Sequence, residues 1–181
     1  MTRIPLIDPA TTSGTRAAIL AQIQAGFGAT PNMFKAVANS PAALGAMWGA
    51  FGALGKGTLG AQLGEQIAVA VAQQNQCTYC LAAHTALGKG AGLTAQQLTA
   101  AQAGQSSDPR VAAALDFARK LVERRGQVSE ADVASLRAAG YGDEQIVEIL
   151  AHVALNIFTN YVNVAFDVPL DFAAVPLLQT A

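Results

Sequence analysis

The chain has 181 residues, 52% of them hydrophobic and only 13% charged, with a formal net charge of −1. That length supports one domain with a full core, and charge this sparse leaves apolar surface to be covered by copies of the chain itself. A near-neutral balance without a basic stripe argues against nucleic acid and anionic membrane surfaces as partners. Arg3, Pro5, Asp8 and Pro9 break up the first apolar residues, which is not the layout of a signal peptide. No run of about 18 apolar residues offers a membrane span. The expectation is a cytoplasmic protein, in which a disulfide is catalytic or redox-sensing rather than structural.

Alanine and leucine abound and strictly alternating β-branched runs are scarce, so the chain reads as all-α. Thr15 to Gly28 forms a first helix after Ser13 and Gly14, and Pro31 to Phe34 restarts the chain as a short one. Ser40 then Pro41 supplies a capping hydroxyl and a proline at the first helical position, opening a helix to about Leu54. Beyond the break at Gly55-Lys56-Gly57-Thr58, a helix from about Gly60 to Gln74 carries an apolar stripe around Ile67 and Val71. Asn75 and Gln76 turn the chain into a helix from about Cys77 to Gly88, ended by Gly88, Gly90 and Gly92. Thr94 caps a short helix to Gln102, and Asp108 with Pro109 starts another reaching about Arg125. Ser129 and Asp132 make a capping box with Asp in the usual Glu position. Gly140-Tyr141-Gly142 precedes the last long helix, Asp143 to about Val164. Glu65-Gln66-Ile67 and Glu144-Gln145-Ile146 open two apolar helices alike, an echo too short to establish a duplicated unit. The tail, with Asp167, Pro169, Asp171 and Pro176, is apolar but too broken for a helix; it is expected to pack over a neighbour, in the same chain or another. The organisation is one domain over 1–181, with an arm over 1–14 and an irregular tail over 165–181.

Of two cysteines and two histidines, three fall within Cys77-Thr78-Tyr79-Cys80-Leu81-Ala82-Ala83-His84. Two thiols three residues apart at a helix start are neighbours, able to close a small disulfide. The helix N-terminus offers free N–H groups and partial positive charge, which favour thiolate, the nucleophilic form. The bland reading is two inert buried cysteines, and both falling into one CxxC disfavours it. His84, four residues after Cys80, shares its helix face and is placed to take a thiol proton and return it to a leaving oxygen. Glu65 lies on the preceding, nearly uncharged helix. If the two helices form a hairpin, its carboxylate reaches His84, orients the ring and stabilises the imidazolium. A first-turn Glu serving only the helix dipole fits the sequence equally well. Which cysteine attacks is open on these grounds, because Cys80 is nearer His84 and Cys77 is nearer the helix terminus.

Glu65, Cys77-Thr78-Tyr79-Cys80 and His84 together resemble the signature of the alkylhydroperoxidase-D-like, or carboxymuconolactone decarboxylase-like, superfamily. The stretches Ala154-Leu155-Asn156-Ile157-Phe158-Thr159-Asn160-Tyr161-Val162-Asn163 and Asp167-Val168-Pro169-Leu170-Asp171-Phe172 resemble its peroxidase-related branch. The resemblance implies an alkylhydroperoxidase-D-like helical bundle assembled into trimers or hexamers. It implies a hydroperoxide reductase in which Cys80 is the peroxidatic thiol, Cys77 resolves it as a disulfide, and a proton relay runs from Glu65 through His84. An external dithiol, carried by a lipoylated or thioredoxin-like protein, would supply the electrons, with no bound cofactor and no metal. Tyr79 departs from the best-characterised branch, which carries a second histidine between the cysteines.

Three other readings use the same residues. A lactone decarboxylase on this fold needs no thiol pair. A metal site of Cys77, Cys80, His84 and His152 lacks the second ligand pair of a structural zinc site. A redox sensor would form the disulfide without turnover. His152 reads first as a packed, hydrogen-bonded histidine, and Asn156, Asn160 and Asn163 follow it at helical spacing, lining a polar pocket or satisfying buried carbonyls. Phe34, Met47, Trp48 and Phe51 read as core or pocket wall.

Overall fold

The computed structural model describes residues 2–179 and contains, among them, nine helices. They are α1 (Gly14–Phe27), α2 (Asn32–Val37), α3 (Pro41–Leu54), α4 (Ala61–Gln74), α5 (Thr78–Gly90), α6 (Ala95–Gln102), α7 (Pro109–Glu123), α8 (Glu130–Ala138) and α9 (Asp143–Phe166). The all-α expectation holds. The start signals work as read: Ser40 Oγ accepts the Ala43 N–H at 3.2 Å, and Thr94 with Gln97 and Ser129 with Asp132 close capping boxes.

Helix α4 is nearly free of charge because it lies at the centre. Helices α5, α6, α7 and α9 all pack on it, and Ile67, Val69, Val71 and Ala72 have no exposed surface. Helix α9 is the second axis, touching α2, α3, α4, α5, α7 and α8. Helix α9 is long and apolar enough to cross a membrane, yet Ile146, Ile149, Val153, Asn156, Asn160 and Asn163 turn inward onto those helices.

The turn between α4 and α5 positions the two cysteines. Gln76 adopts φ 53°, its N–H reaches Gln73 O at 3.1 Å and the Cys77 N–H reaches Ala72 O at 2.9 Å. This is the bonding pattern that ends a helix through one left-handed residue. Cys77 therefore closes α4 and caps α5 at once, and the two helices run back along each other as a hairpin.

Both termini brace this frame. The Arg3 N–H donates to Phe166 O at 2.8 Å and its guanidinium donates to Ala165 O at 2.9 Å, where a cation suits the α9 C-terminus. The tail folds back over its own chain: Gln73 and Leu178 exchange two hydrogen bonds of 3.0 Å, and Gln102 donates to Pro176 O at 2.9 Å.

Gly88 does not end α5, as its sequence position suggests; the helix continues to Gly90. Gly88 is a packing residue, because a Cβ there would stand 2.7 Å from Leu98 Cδ2 and 3.3 Å from Leu93 Cδ1. Gly90 has open space. Two alanine exchanges two residues apart should thus have opposite signs in urea unfolding. Gly88→Ala should cost about 1 kcal/mol net, overpacking outweighing the better helix former, whereas Gly90→Ala should stabilise by about 0.5 kcal/mol.

Candidate active site

The α4–α5 hairpin brings all four sequence-selected residues to one place. Cys77 and Cys80 are joined as a disulfide with Cα atoms 5.3 Å apart, and both are buried. Cys77 Sγ accepts the Cys80 N–H at 3.2 Å, so the sulfur itself serves as the cap of α5. One turn beyond Cys80, His84 Nδ1 lies 2.8 Å from Glu65 Oε2. A carboxylate only accepts, so Nδ1 carries the hydrogen, and in the neutral ring Nε2 is the acceptor. Glu65 is thereby paired with the histidine, and is more than a helix-dipole residue.

His84 stands between two cavities. The front one, about 210 Å³, is walled by apolar side chains including Phe27, Phe34 and Phe51, with Cys80, His84 and Asn163 among its lining residues. Cys77 is not among them. The wall is an aromatic cluster in which Phe34 meets Phe51 at 5.7 Å and Trp48 at 6.1 Å between ring centres. Phe34 and Met47 belong to the buried core, while half-buried Trp48 donates its ring N–H to Gln22 at 3.0 Å. The rear cavity, about 180 Å³, holds Glu65, His152 and Asn156 as well as His84.

His152 therefore faces the Glu65–His84 pair from behind. Burial pushes its pKa below the ordinary 6.5, and His84 acts the same way, against the opposing pull of the Glu148 and Glu65 carboxylates. The unfolded chain takes up a proton near 6.5 that the folded chain refuses until lower pH. This contribution to stability is complete above about pH 6.5 and lost as pH falls below it. The urea midpoint should accordingly drop between about pH 7.5 and pH 5.5, and His152→Gln should flatten the drop. An equal drop in the variant would assign it to another group.

Tyr79, between the cysteines, points away from proton chemistry. Its hydroxyl donates to Asp171 Oδ2 at 2.6 Å and accepts the Met33 N–H at 3.3 Å. Burial first, then the Asp171 acceptor, pushes its pKa far above the usual phenol range, so the hydroxyl keeps its proton. The same Asp171 oxygen accepts the Asn32 N–H at 2.7 Å, and Phe172 meets the Tyr79 ring edge-on at 5.9 Å. The tail thus closes over the front cavity, which Asp171 and Phe172 also line. Sequence reasoning did not select Asp171; the available signal was an acid in an apolar tail, costly unless paired.

Asn163 is the second residue left unassigned from sequence. Its Nδ2 donates to Cys80 Sγ at 3.2 Å and to Thr159 O at 3.0 Å. Asn160 accepts from Asn75 at 2.9 Å and ties the turn to α9. Among the described residues, no group of three or more His, Cys, Asp or Glu converges where a metal ion would be held.

The carboxymuconolactone decarboxylase family matches residues 41–124, the stretch that carries the hairpin. Two solved structures extend the likeness over almost the whole chain. One is an uncharacterized peroxidase-related protein of Ralstonia eutropha JMP134 described as an alkylhydroperoxidase AhpD core, with TM-score 0.83, 29% identity, and 94% of this chain and 92% of that one covered. The chain is thus similar to the alkylhydroperoxidase-D-like, carboxymuconolactone decarboxylase superfamily, in sequence over residues 41–124 and in fold over almost its whole length. A second such structure, an uncharacterized peroxidase-related protein of Silicibacter sp. TM1040, aligns with TM-score 0.81 at 28% identity over 93% of this chain and 91% of that one. A debrominase solved with 2,3,4-tribromopyrrole shares the superfamily's fold at TM-score 0.76 and 20% identity, covering 94% of each chain. No curated protein sequence matches this one significantly.

Proposed function

We propose that the protein is a thiol-dependent hydroperoxide reductase that cycles through the Cys77–Cys80 disulfide, with Glu65 and His84 as its proton relay. One observation carries the reading: of the two sulfurs, only that of Cys80 belongs to a residue lining the apolar cavity that His84 also lines. The Cys80 thiolate attacks the distal oxygen of ROOH, the O–O bond breaks, and the alkoxide leaves as ROH with a proton from His84. Cys77 then displaces hydroxide from the sulfenic acid, giving the disulfide and water. An external dithiol restores both thiols and is itself oxidised to a disulfide.

Two features narrow the partners. An apolar, aromatic wall suits an organic hydroperoxide better than hydrogen peroxide. Both cysteines are 2% exposed or less, which favours a dithiol on a thin arm, such as a lipoyl group, over a thiol on a globular surface. A reducing compartment such as the cytoplasm would supply it. The test is consumption of cumene hydroperoxide by the pre-reduced protein with dihydrolipoamide as donor. Sustained turnover supports the reductase. A disulfide that forms readily without turnover sinks it and leaves a redox sensor, or a lactone decarboxylase whose chemistry ignores the thiols.

The sparse charge also finds a location. Val147, Leu150, Ala154, Phe158, Tyr161 and Ala165 are exposed along one stripe of α9 at helical spacing. This stripe is the proposed contact between copies of the chain, as trimers or hexamers. Tyr161→Glu should lower the mass measured by light scattering while leaving the helical circular dichroism intact. An unchanged mass would place the contact elsewhere.

A further inference from the structure

The side-chain amide of Asn163 is fully determined by its surroundings except at one atom. An asparagine offers two N–H donors and one carbonyl acceptor. Thr159 O, a pure acceptor 3.0 Å away, requires the NH2 group on its side. The second hydrogen of that group points to Cys80 Sγ at 3.2 Å. Oδ1 is then left buried with no hydrogen-bond partner among the described residues, in a side chain only 4% exposed. A buried acceptor without a donor is costly and uncommon in a folded protein, and it calls for a reason such as a catalytic role or a bound donor. Asn163 borders the cavity shared by Cys80 and His84.

We propose that Asn163 is a catalytic residue of the peroxidatic step, its NH2 holding the Cys80 thiolate and its carbonyl receiving the O–H of the incoming hydroperoxide. The assignment rests on the hydroperoxide reductase reading. A hydroperoxide ROOH has a single hydrogen-bond donor, and that hydrogen sits on the distal oxygen, the atom under attack. One planar amide therefore touches both reacting atoms: the donor side lowers the basicity of sulfur, and the acceptor side turns the distal oxygen toward it. As the S–O bond forms and the O–O bond breaks, sulfur loses two electrons to the hydroperoxide. The alkoxide takes its proton from His84, and the hydroxyl stays on Cys80 as sulfenic acid. Asn163 gives up no proton. Tyr79, whose hydroxyl is committed to Asp171, does not compete for this role.

The test separates the two halves of the amide. In full-length protein carrying Cys77→Ser, so that Cys80 is the sole thiol, the pH dependence of iodoacetamide alkylation gives the Cys80 midpoint without any hydroperoxide. Asn163→Ala should raise the midpoint by about one unit. Asn163→Asp, which keeps the shape, should raise it further because a carboxylate beside a thiolate repels it. Asn160→Ala, which empties a neighbouring buried position on the same helix, should leave it in place. The single-turnover rate with cumene hydroperoxide is then read at a pH above every midpoint, where ionisation no longer differs. There Asn163→Ala should still react about tenfold more slowly, and that residue of effect belongs to the carbonyl. Unmoved midpoints in both Asn163 variants overturn the proposal, as does an equal shift from Asn160→Ala. A shifted midpoint in a protein that consumes no hydroperoxide would instead show that the reductase reading has failed, and the carbonyl's assigned ligand with it.

Discussion

Exchanging Cys80 for serine should abolish hydroperoxide reduction, by roughly 10⁴-fold or more, the scale on which loss of a nucleophile is felt. A serine hydroxyl is far less acidic than a thiol, and its oxygen is a poorer nucleophile toward a peroxide oxygen than a thiolate sulfur. Cys77→Ser should behave differently. Its first attack remains possible, since Cys80, His84 and the cavity are untouched, so one equivalent of cumene hydroperoxide should disappear in a burst. The reaction should then stop, with a sulfenic acid on Cys80 that dimedone traps and mass spectrometry counts. The asymmetry follows from placement. Cys80 borders the cavity, while Cys77 sits behind it as the cap of α5. A burst in Cys80→Ser and none in Cys77→Ser would reverse the two roles, making the helix-terminal sulfur the attacker.

His84→Ala should lower steady-state turnover by about 10² to 10³-fold while leaving both thiols able to form their disulfide. The imidazole is the proton carrier best placed near Cys80: it lies one helical turn along and also lines the cavity in which ROOH would sit. Without it, the alkoxide must leave unprotonated or wait for water. Added imidazole should restore part of the rate, because the front cavity has room for a small ring. Glu65→Gln should cost less, about tenfold, since the amide still contacts Nδ1 at the 2.8 Å position but no longer stabilises a charged ring. A His84→Ala protein within a factor of about two of the unmutated rate would remove the relay from the mechanism. The same experiment bears on His152, which shares the rear cavity with Glu65 and His84; a substitute relay through it would appear as residual activity lost in the double variant.

Much of this site was legible before any coordinates. Spacing along one helix is a local property: a CxxC and a histidine one turn later lie together in any α-helix. Caps are local as well, which is why Ser40, Thr94 and Ser129 mark their helices correctly. Gly88 shows the limit of such reading. Its meaning depends on Leu98, a residue of another helix, and a glycine that permits close packing looks in sequence like one that ends a helix.

The sequence by itself determined an all-helical chain, the place of its two cysteines at a helix start, and the register of His84 with Cys80, because 3.6 residues per turn fixes these without reference to anything distant. Only the tertiary structure decided between the two readings of Glu65, since the left-handed Gln76 turns α5 back along α4 and sets the carboxylate on the imidazole. Only the tertiary structure brought Asn163, 83 residues along the chain, onto Cys80, and Asp171, 92 residues along, onto Tyr79. Those contacts depend on how α9 and the tail pack across the hairpin, and packing is set by the sum of many small apolar burials that no single stretch of sequence contains.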